Sequence, residues 1–350
     1  MLQDIAESDH ISDLHLTVHS SPIIRKGGEL ETYSGSNGKL KQQDIEYVMD
    51  ELMGDREREI FQDKGEVDFS YSLPGVARFR VNAYKQRGSP SIAMRVIPSK
   101  IPTIDGMNLP KVLKNLAAQR RGLVLSTGPT GAGKSTTQAA IINEINHTRK
   151  AHVVTLEDPI EYLHKHNKSM VHQREVGGDT TSFARGLRAA LRQDPDVILV
   201  GEMRDLDTIS TALEAAETGH LVLATLHTNS APATIDRIID VFPPEQHDQV
   251  RIQLASVISG VLTQQLLPRK DEEGRVASFE IMISTPAIRN IIREGKTSQL
   301  YSAIQTGGQY DMITRDKYLL DLYNSGKISK ETLIRYCSDQ EYVQKRLEDF

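Results

Sequence analysis

Gly128-Pro-Thr-Gly-Ala-Gly-Lys-Ser135, with Thr136 next, fits the pattern G-x-x-x-x-G-K-[ST] without a departure. The pattern is informative only between a buried strand and a helix. Leu123-Val-Leu-Ser-Thr127 supplies the first, and the stretch from Ser135 to about Asn146 reads as the second. Glycines let the backbone curl so that successive N–H groups face a phosphate chain, and the following helix N-terminus adds partial positive charge. The candidate phosphate ligands are therefore Gly128, Pro129, Thr130, Gly131, Ala132, Gly133, Lys134, Ser135 and Thr136. Lys134 is placed for the β- and γ-phosphates, and the Ser135 hydroxyl for Mg²⁺.

Outward from this loop, short apolar runs alternate with helical stretches. Val153-Val-Thr-Leu156, Val197-Ile-Leu-Val200 and Leu221-Val-Leu-Ala-Thr225 are rich in Val, Ile and Leu, as strands buried on both faces of a parallel sheet are. The pattern predicts a doubly wound α/β core. In open sheets of this kind, ligands bind beyond the carboxyl ends of the strands, and polar residues follow each run. Glu157-Asp158-Pro-Ile-Glu161 follows the first, Gly201-Glu202-Met-Arg-Asp205 the second and Leu226-His227-Thr228 the third. A carboxylate there can hold a metal through water or orient an attacking water. Glu202 stands where a Walker B acid belongs, and His227 is placed to sense a γ-phosphate. Asp205 and Asp207 read instead as caps of a helix beginning near Thr208. His220 fits a structural role as well as a functional one.

Ahead of this core, residues 1–98 read as a small α+β domain. Asp13–Thr17 and Val76–Ala83 alternate like half-buried strands, and 42–62 carries one helical pattern. Residues 99–110 read as linker and 111–350 as the ATPase domain. The last hundred residues look helical, with Thr285 capping a helix whose first turn holds Pro286 and whose one face carries Ile288, Ile291 and Ile292.

Composition narrows the partners. In 350 residues, 42 Lys and Arg stand against 47 Asp and Glu, a net charge of −5 that argues against a dedicated nucleic-acid binder. The single cysteine, Cys337, excludes an intramolecular disulfide and a cysteine-built zinc site. No basic-then-apolar leader opens the chain, and no apolar run is long enough to span a bilayer, so a cytoplasmic location is expected.

Together, the loop Gly128–Thr136, the acidic box Thr155–Glu161, the segment Gly201–Asp205 and the histidine box Thr218-Gly-His-Leu-…-Thr-Leu-His-Thr228 resemble the type II/IV secretion ATPase superfamily. Ala287-Ile-Arg-Asn-Ile-Ile-Arg-Glu294 looks like the signature of its pilus retraction branch, and Ser12–Leu16 with Phe79–Asn82 resembles that branch's N-terminal domain. The resemblance implies a RecA-like P-loop ATPase domain behind a PAS-like α+β domain, working as a homohexamer on ATP with Mg²⁺. It implies retraction of type IV pili and hence twitching motility, with pilus extension or type II secretion by a related enzyme as the alternative. It also implies an inner-membrane platform protein as partner, with a paralogous retraction ATPase left open as a second. The expected place is the inner face of the cytoplasmic membrane.

By the same resemblance Glu161 is the candidate general base, with Glu157 and Asp158 beside it, and the choice between Glu157 and Glu161 stays open. Glu202 supports the metal and the water. His220 and His227 match both histidines of the histidine box, and Arg80 and Arg95 match N-domain arginines that reach the nucleotide. The polar side of 287–294, with Arg289, Asn290 and Arg293, is implied in retraction rather than hydrolysis.

Overall fold

The computed structural model describes residues 1–350 except 9, 36, 37, 98, 99, 349 and 350. The chain divides into two compact units, one of Met1–Lys100 with Glu161–Leu163, the other of Ile101–Ile160 with His164–Phe350.

In the first unit, β1 (Ile11–Thr17), β2 (Ile23–Lys26), β3 (Glu29–Thr32), β4 (Glu66–Leu73), β5 (Ala77–Gln86) and β6 (Ser89–Ile97) form one sheet in the order β3-β2-β1-β6-β5-β4. Its strand pairs are antiparallel. Leu14, Leu16, Phe79, Val81, Ile92 and Met94 fill the core together with Ile45 and Met49 from the helix Gln42–Leu52. The helical pattern of 42–62 is broken in two, because Met53 is extended and Gly54 caps a second helix, Asp55–Lys64. Glu57 closes that break by accepting a hydrogen bond from the Gly54 N–H at 3.1 Å.

The second unit is built on β7 (Gly122–Thr127), β8 (His152–Glu157), β9 (Met170–Glu175), β10 (Val197–Val200), β11 (Leu221–Leu226), β12 (Ile258–Pro268) and β13 (Arg275–Ile283). They run in the order β13-β12-β7-β11-β10-β8-β9, parallel throughout except for β13. Every residue of β7, β10 and β11 is buried, as the apolar runs require. Alternate side chains serve opposite faces. Leu123, Leu125, Val222 and Ala224 pack against the helices Leu206–Glu217 and Ala231–Asp240. Val124, Leu221 and Leu223 pack with Ile141, Ile142 and Ile145 of the helix Lys134–Thr148. Ile104 and Leu109 belong to this second face, so part of the stretch read as linker is core.

The expectation of a helical last hundred residues is corrected by the β12–β13 hairpin, whose polar Thr263, Gln264 and Glu280 lie buried within the strands. The helix Pro286–Arg293 starts as read, with Thr285 accepting from the Ile288 N–H at 3.3 Å. Ile288 and Ile292 are fully buried, which makes them core positions rather than a docking face.

His164 opens the return of the chain into the second unit, its backbone N–H donating to Gln173 Oε1 at 2.8 Å. Burial pushes its imidazole down to about 4. The unfolded chain takes up a proton near pH 6.5 that the folded chain refuses until about pH 4, so the group removes stability as pH falls between those values. A His164→Gln variant is therefore expected to lose about 2 kcal/mol less stability between pH 7 and pH 5 than the parent, measured by urea unfolding at both pH values.

Candidate nucleotide site

The phosphate loop grows from the end of β7, held between β11 and β12. Gly128 has φ 138°, and a Cβ built there would stand 2.2 Å from the backbone oxygen of Gln264. Gly133, at φ 86°, leads into the helix Lys134–Thr148, and its Cβ would stand 2.8 Å from Gln264 Nε2. Both glycines are thus demanded by conformation and by the approach of β12. Lys134 is 9% exposed and donates from Nζ to the carbonyls of Gly128 (2.7 Å) and Pro129 (3.1 Å). The cation is thereby folded over the loop where phosphate oxygens would replace those carbonyls. A left-handed glycine bend, a buried lysine and a helix N-terminus fit a nucleotide's phosphates.

Gln264 was not singled out by its sequence. Only 3% exposed, it accepts a hydrogen bond from Thr137 Oγ1 at 2.7 Å, tying β12 to the first turn of the phosphate helix. One strand residue earlier, Thr263 accepts from Thr127 Oγ1 at 2.9 Å. On the other side of β7, Gln138 donates to Ser126 Oγ at 2.8 Å.

The carboxyl ends of the neighbouring strands are stitched to one another. Gly201 N–H donates to Leu156 O at 2.7 Å, Met203 N–H to Thr225 O at 3.0 Å, and Thr225 Oγ1 to Gly201 O. On this frame Glu202, its side chain 17% exposed, meets Arg204 through both oxygens at 2.5 and 2.6 Å and His227 Nε2 at 3.2 Å. Partial burial opposes its charge, but the Arg204 hydrogen bonds and the neighbouring imidazole outweigh it and hold the carboxyl below its ordinary range. Glu202 therefore stays an anion, as a metal-supporting carboxylate must. Asp205 caps the helix Leu206–Glu217, accepting from Thr208 N–H at 2.8 Å, whereas Asp207 faces Arg188 at 3.9 Å in that helix's first turn.

In the acidic box, Glu157 is half-buried and accepts from Thr155 Oγ1 (2.6 Å) and Gln173 Nε2 (3.0 Å), while Asp158 is exposed. Glu175 on β9, which carries no signal in the sequence, is buried and accepts from the Ile160 N–H at 3.0 Å, fixing the turn of the box. Beyond His227 a second such carboxylate, Glu280 on β13, accepts from the Ala231 N–H at 2.7 Å, and Arg315 donates to Asn229 O. Burial pushes the Glu280 carboxyl up.

The two histidines of the histidine box part company. His227 follows the carboxyl end of β11, whereas His220 precedes its amino end and bonds Ala215 O through Nδ1 at 2.9 Å. The strand between them sets the two about 20 Å apart at ~3.3 Å per residue, so His220 does not join Glu202 and the loop. Glu161 is exposed and belongs to the first unit, as do Arg80 and Arg95. There Arg80 stands opposite Arg95 across β5–β6, and Asp13 opposite Arg95 across β1–β6. Asp13 accepts from Arg95 Nε at 2.8 Å. Burial opposes its charge, yet the bonds from Ser12 and Arg95 prevail and hold it below its ordinary range.

Residues 62–320 match the family described as type II/IV secretion system protein. The chain belongs to this family. Its relatives place it in the pilus ATPase branch. It is 50% identical over 320 residues to the type IV pilus retractation ATPase PilT of Pseudomonas aeruginosa, covering 91% of this chain and 92% of that one. It is 47% identical to a twitching motility protein of Neisseria gonorrhoeae, over 92% and 85% of the two chains. A crystal structure of the pilus retraction motor PilT with bound ADP superposes with a TM-score of 0.91 at 45% identity, covering 98% of each chain. This secretion-family protein is accordingly a nucleotide-binding, ATP-hydrolysing enzyme with the RecA-like fold of its family.

If Gln264 aligns the loop, Gln264→Ala raises KM for ATP by about tenfold, roughly the weight of one buried hydrogen bond, with a smaller change in kcat. Steady-state kinetics at fixed Mg²⁺ checks this, and Gln264→Glu, which keeps the acceptor for Thr137, recovers part of the loss.

Proposed function

We propose that the protein is a hexameric motor that hydrolyses ATP to retract type IV pili. The observation that carries this reading is the match to a pilus retraction ATPase over nine-tenths of both chains. The Glu202–His227 pair beside the phosphate loop is its chemical counterpart.

In this reading the backbone N–H groups of Gly131 to Thr136 and the Lys134 ammonium bind the β- and γ-phosphates. The Ser135 hydroxyl, and Glu202 through water, would hold Mg²⁺, which when bound neutralises charge on the phosphate oxygens. Glu161 or Glu157 takes the proton of the water that attacks the γ-phosphorus as the bond to the ADP oxygen breaks. His227 reports the presence of the γ-phosphate, and its hydrogen bond to Glu202 lets that report reach the metal-supporting carboxylate. Arg80 and Arg95 are the candidates to supply positive charge to the transferring group. His220 is left with a structural role at the far end of β11.

The motor acts from the cytoplasmic side on an inner-membrane platform protein. Among the described residues no helix is long and apolar enough to cross a membrane, in keeping with attachment through that partner. The exposed residues Asn290 and Arg293 of the signature helix are candidates for work output rather than hydrolysis. Cells lacking the gene test the direction of action: they are expected to be hyperpiliated and unable to twitch, seen by electron microscopy and stab-agar motility. Bald cells would assign the motor to extension instead.

A further inference from the structure

At the end of the second sheet opposite the phosphate loop lies a second cavity, of about 740 Å³. It opens where β7 and β12 begin, so the full length of β7 separates it from the nucleotide. Its walls carry Arg120, Arg121 and Arg289 together with Ser259, Ser284 and Glu217.

The donors in this cavity outnumber their partners. Among the described residues Arg120 and Arg121 have neither an ion pair nor a side-chain hydrogen bond. Arg289 donates from Nε to Ser284 Oγ at 2.9 Å, which leaves its two terminal nitrogens and the Ser284 hydroxyl proton to give. Ser259 adds another hydroxyl, and its Oγ lies 2.3 Å from where a Gly122 side chain would begin, so the glycine leaves the serine room in this corner.

Nearby, Arg149 donates to the carbonyls of Ala117 (3.0 Å) and Gln119 (2.7 Å). Burial counts most against its guanidinium; Asp196 counts for it, and the charge of Arg120, less than either, against it. Glu217, the one acid among the described residues lining the cavity, is engaged by Gln253 Nε2 at 2.7 Å.

Helix carboxyl ends also draw cations, and the helices Leu206–Glu217 and His247–Val257 both end here. Thr218 Oγ1 donates to the carbonyls of Glu214 and Ala215, and Ser256 Oγ to that of Gln253. Among the described residues, Arg120 and Arg121 donate to none of the carbonyls at these two helix ends. Clustered guanidinium forks interleaved with short hydroxyl donors are the recognition chemistry of a tetrahedral, multiply charged oxyanion, whose oxygens accept from several directions at once. The volume suits a small ligand rather than a single ion.

We propose that this cavity is a second anion site, which takes the phosphate group of a small phosphorylated molecule or of free inorganic phosphate through Arg120, Arg121 and Arg289. The inference stands apart from the direction in which the motor works.

Calorimetric titration of the full chain, its phosphate loop filled with saturating ADP, tests it with three titrants: sodium pyrophosphate, orthophosphate and AMP. Pyrophosphate is expected to bind at one site per chain. Arg120→Glu, on an exposed side chain, should weaken it by ~tenfold or more, as loss and reversal of a charge-assisted contact does. Arg289→Ser should weaken it as well. AMP binding more tightly than orthophosphate assigns the site to a phosphate ester, and the reverse order to the free anion. Three results overturn the proposal: no heat with any titrant, equal affinity in parent and both arginine variants, or binding of a hexaglutamate peptide where pyrophosphate fails. The last would give the surface to an acidic protein partner.

Discussion

The carbonyl of Gln264 approaches so near to Gly128 that no side chain fits at the entry to the phosphate loop. This close passage of β12 over the end of β7 sets the position of everything that follows. The loop must bend in the left-handed region, the helix Lys134–Thr148 must begin where Gly133 releases it, and Lys134 must fold back over the carbonyls it covers. Burial of β7 on both faces makes the platform stiff, since neither face can shift without opening a close-packed core. A lysine and a row of amides aimed at phosphate are worth most when they need no rearrangement to receive it.

The same stiffness extends sideways. Hydrogen bonds between the tips of β8, β10 and β11 bring Glu202 and His227 to one place as parts of a frame rather than as separate loops. Beyond His227 the chain is gripped by Glu280 on β13 and by Arg315. A change at the γ-phosphate that reaches His227 therefore meets a short, well-anchored loop. Buried carboxylates recur as anchors here: Glu175 holds the acidic box and Glu280 the start of the helix that follows the histidine box, each by accepting from a backbone N–H. Leaving such a donor unpaired in the interior would cost about 1–3 kcal/mol, which is why a carboxylate is tolerated there.

The central sheet was legible because strands buried on both faces must be apolar throughout, and β7, β10 and β11 are. The loop was legible because few residue types can make its bends. What stayed hidden was polar matter inside the core. Thr263, Gln264 and Glu280 interrupt β12 and β13 with residues that look like surface, so the hairpin disappeared into an expected helical region. On β9, Glu175 gave no sign of burial for the same reason. The helical period across 42–62 runs smoothly through Met53 and Gly54, where the backbone does not. His220 and His227 form one box in sequence, yet a six-residue strand carries them to opposite ends of the sheet. Spacing along a chain says which residues share an element, but not which end of it faces the ligand.

Lys134 and the loop amides are the proposed grip on the triphosphate. Phosphate release by purified Lys134→Ala at saturating ATP and Mg²⁺ tests this most directly. A fall in turnover of at least ~100-fold is expected, the scale of losing one preorganised charge contact at the transferring group, with the circular dichroism of the folded protein retained. Turnover equal to the parent's would contradict it.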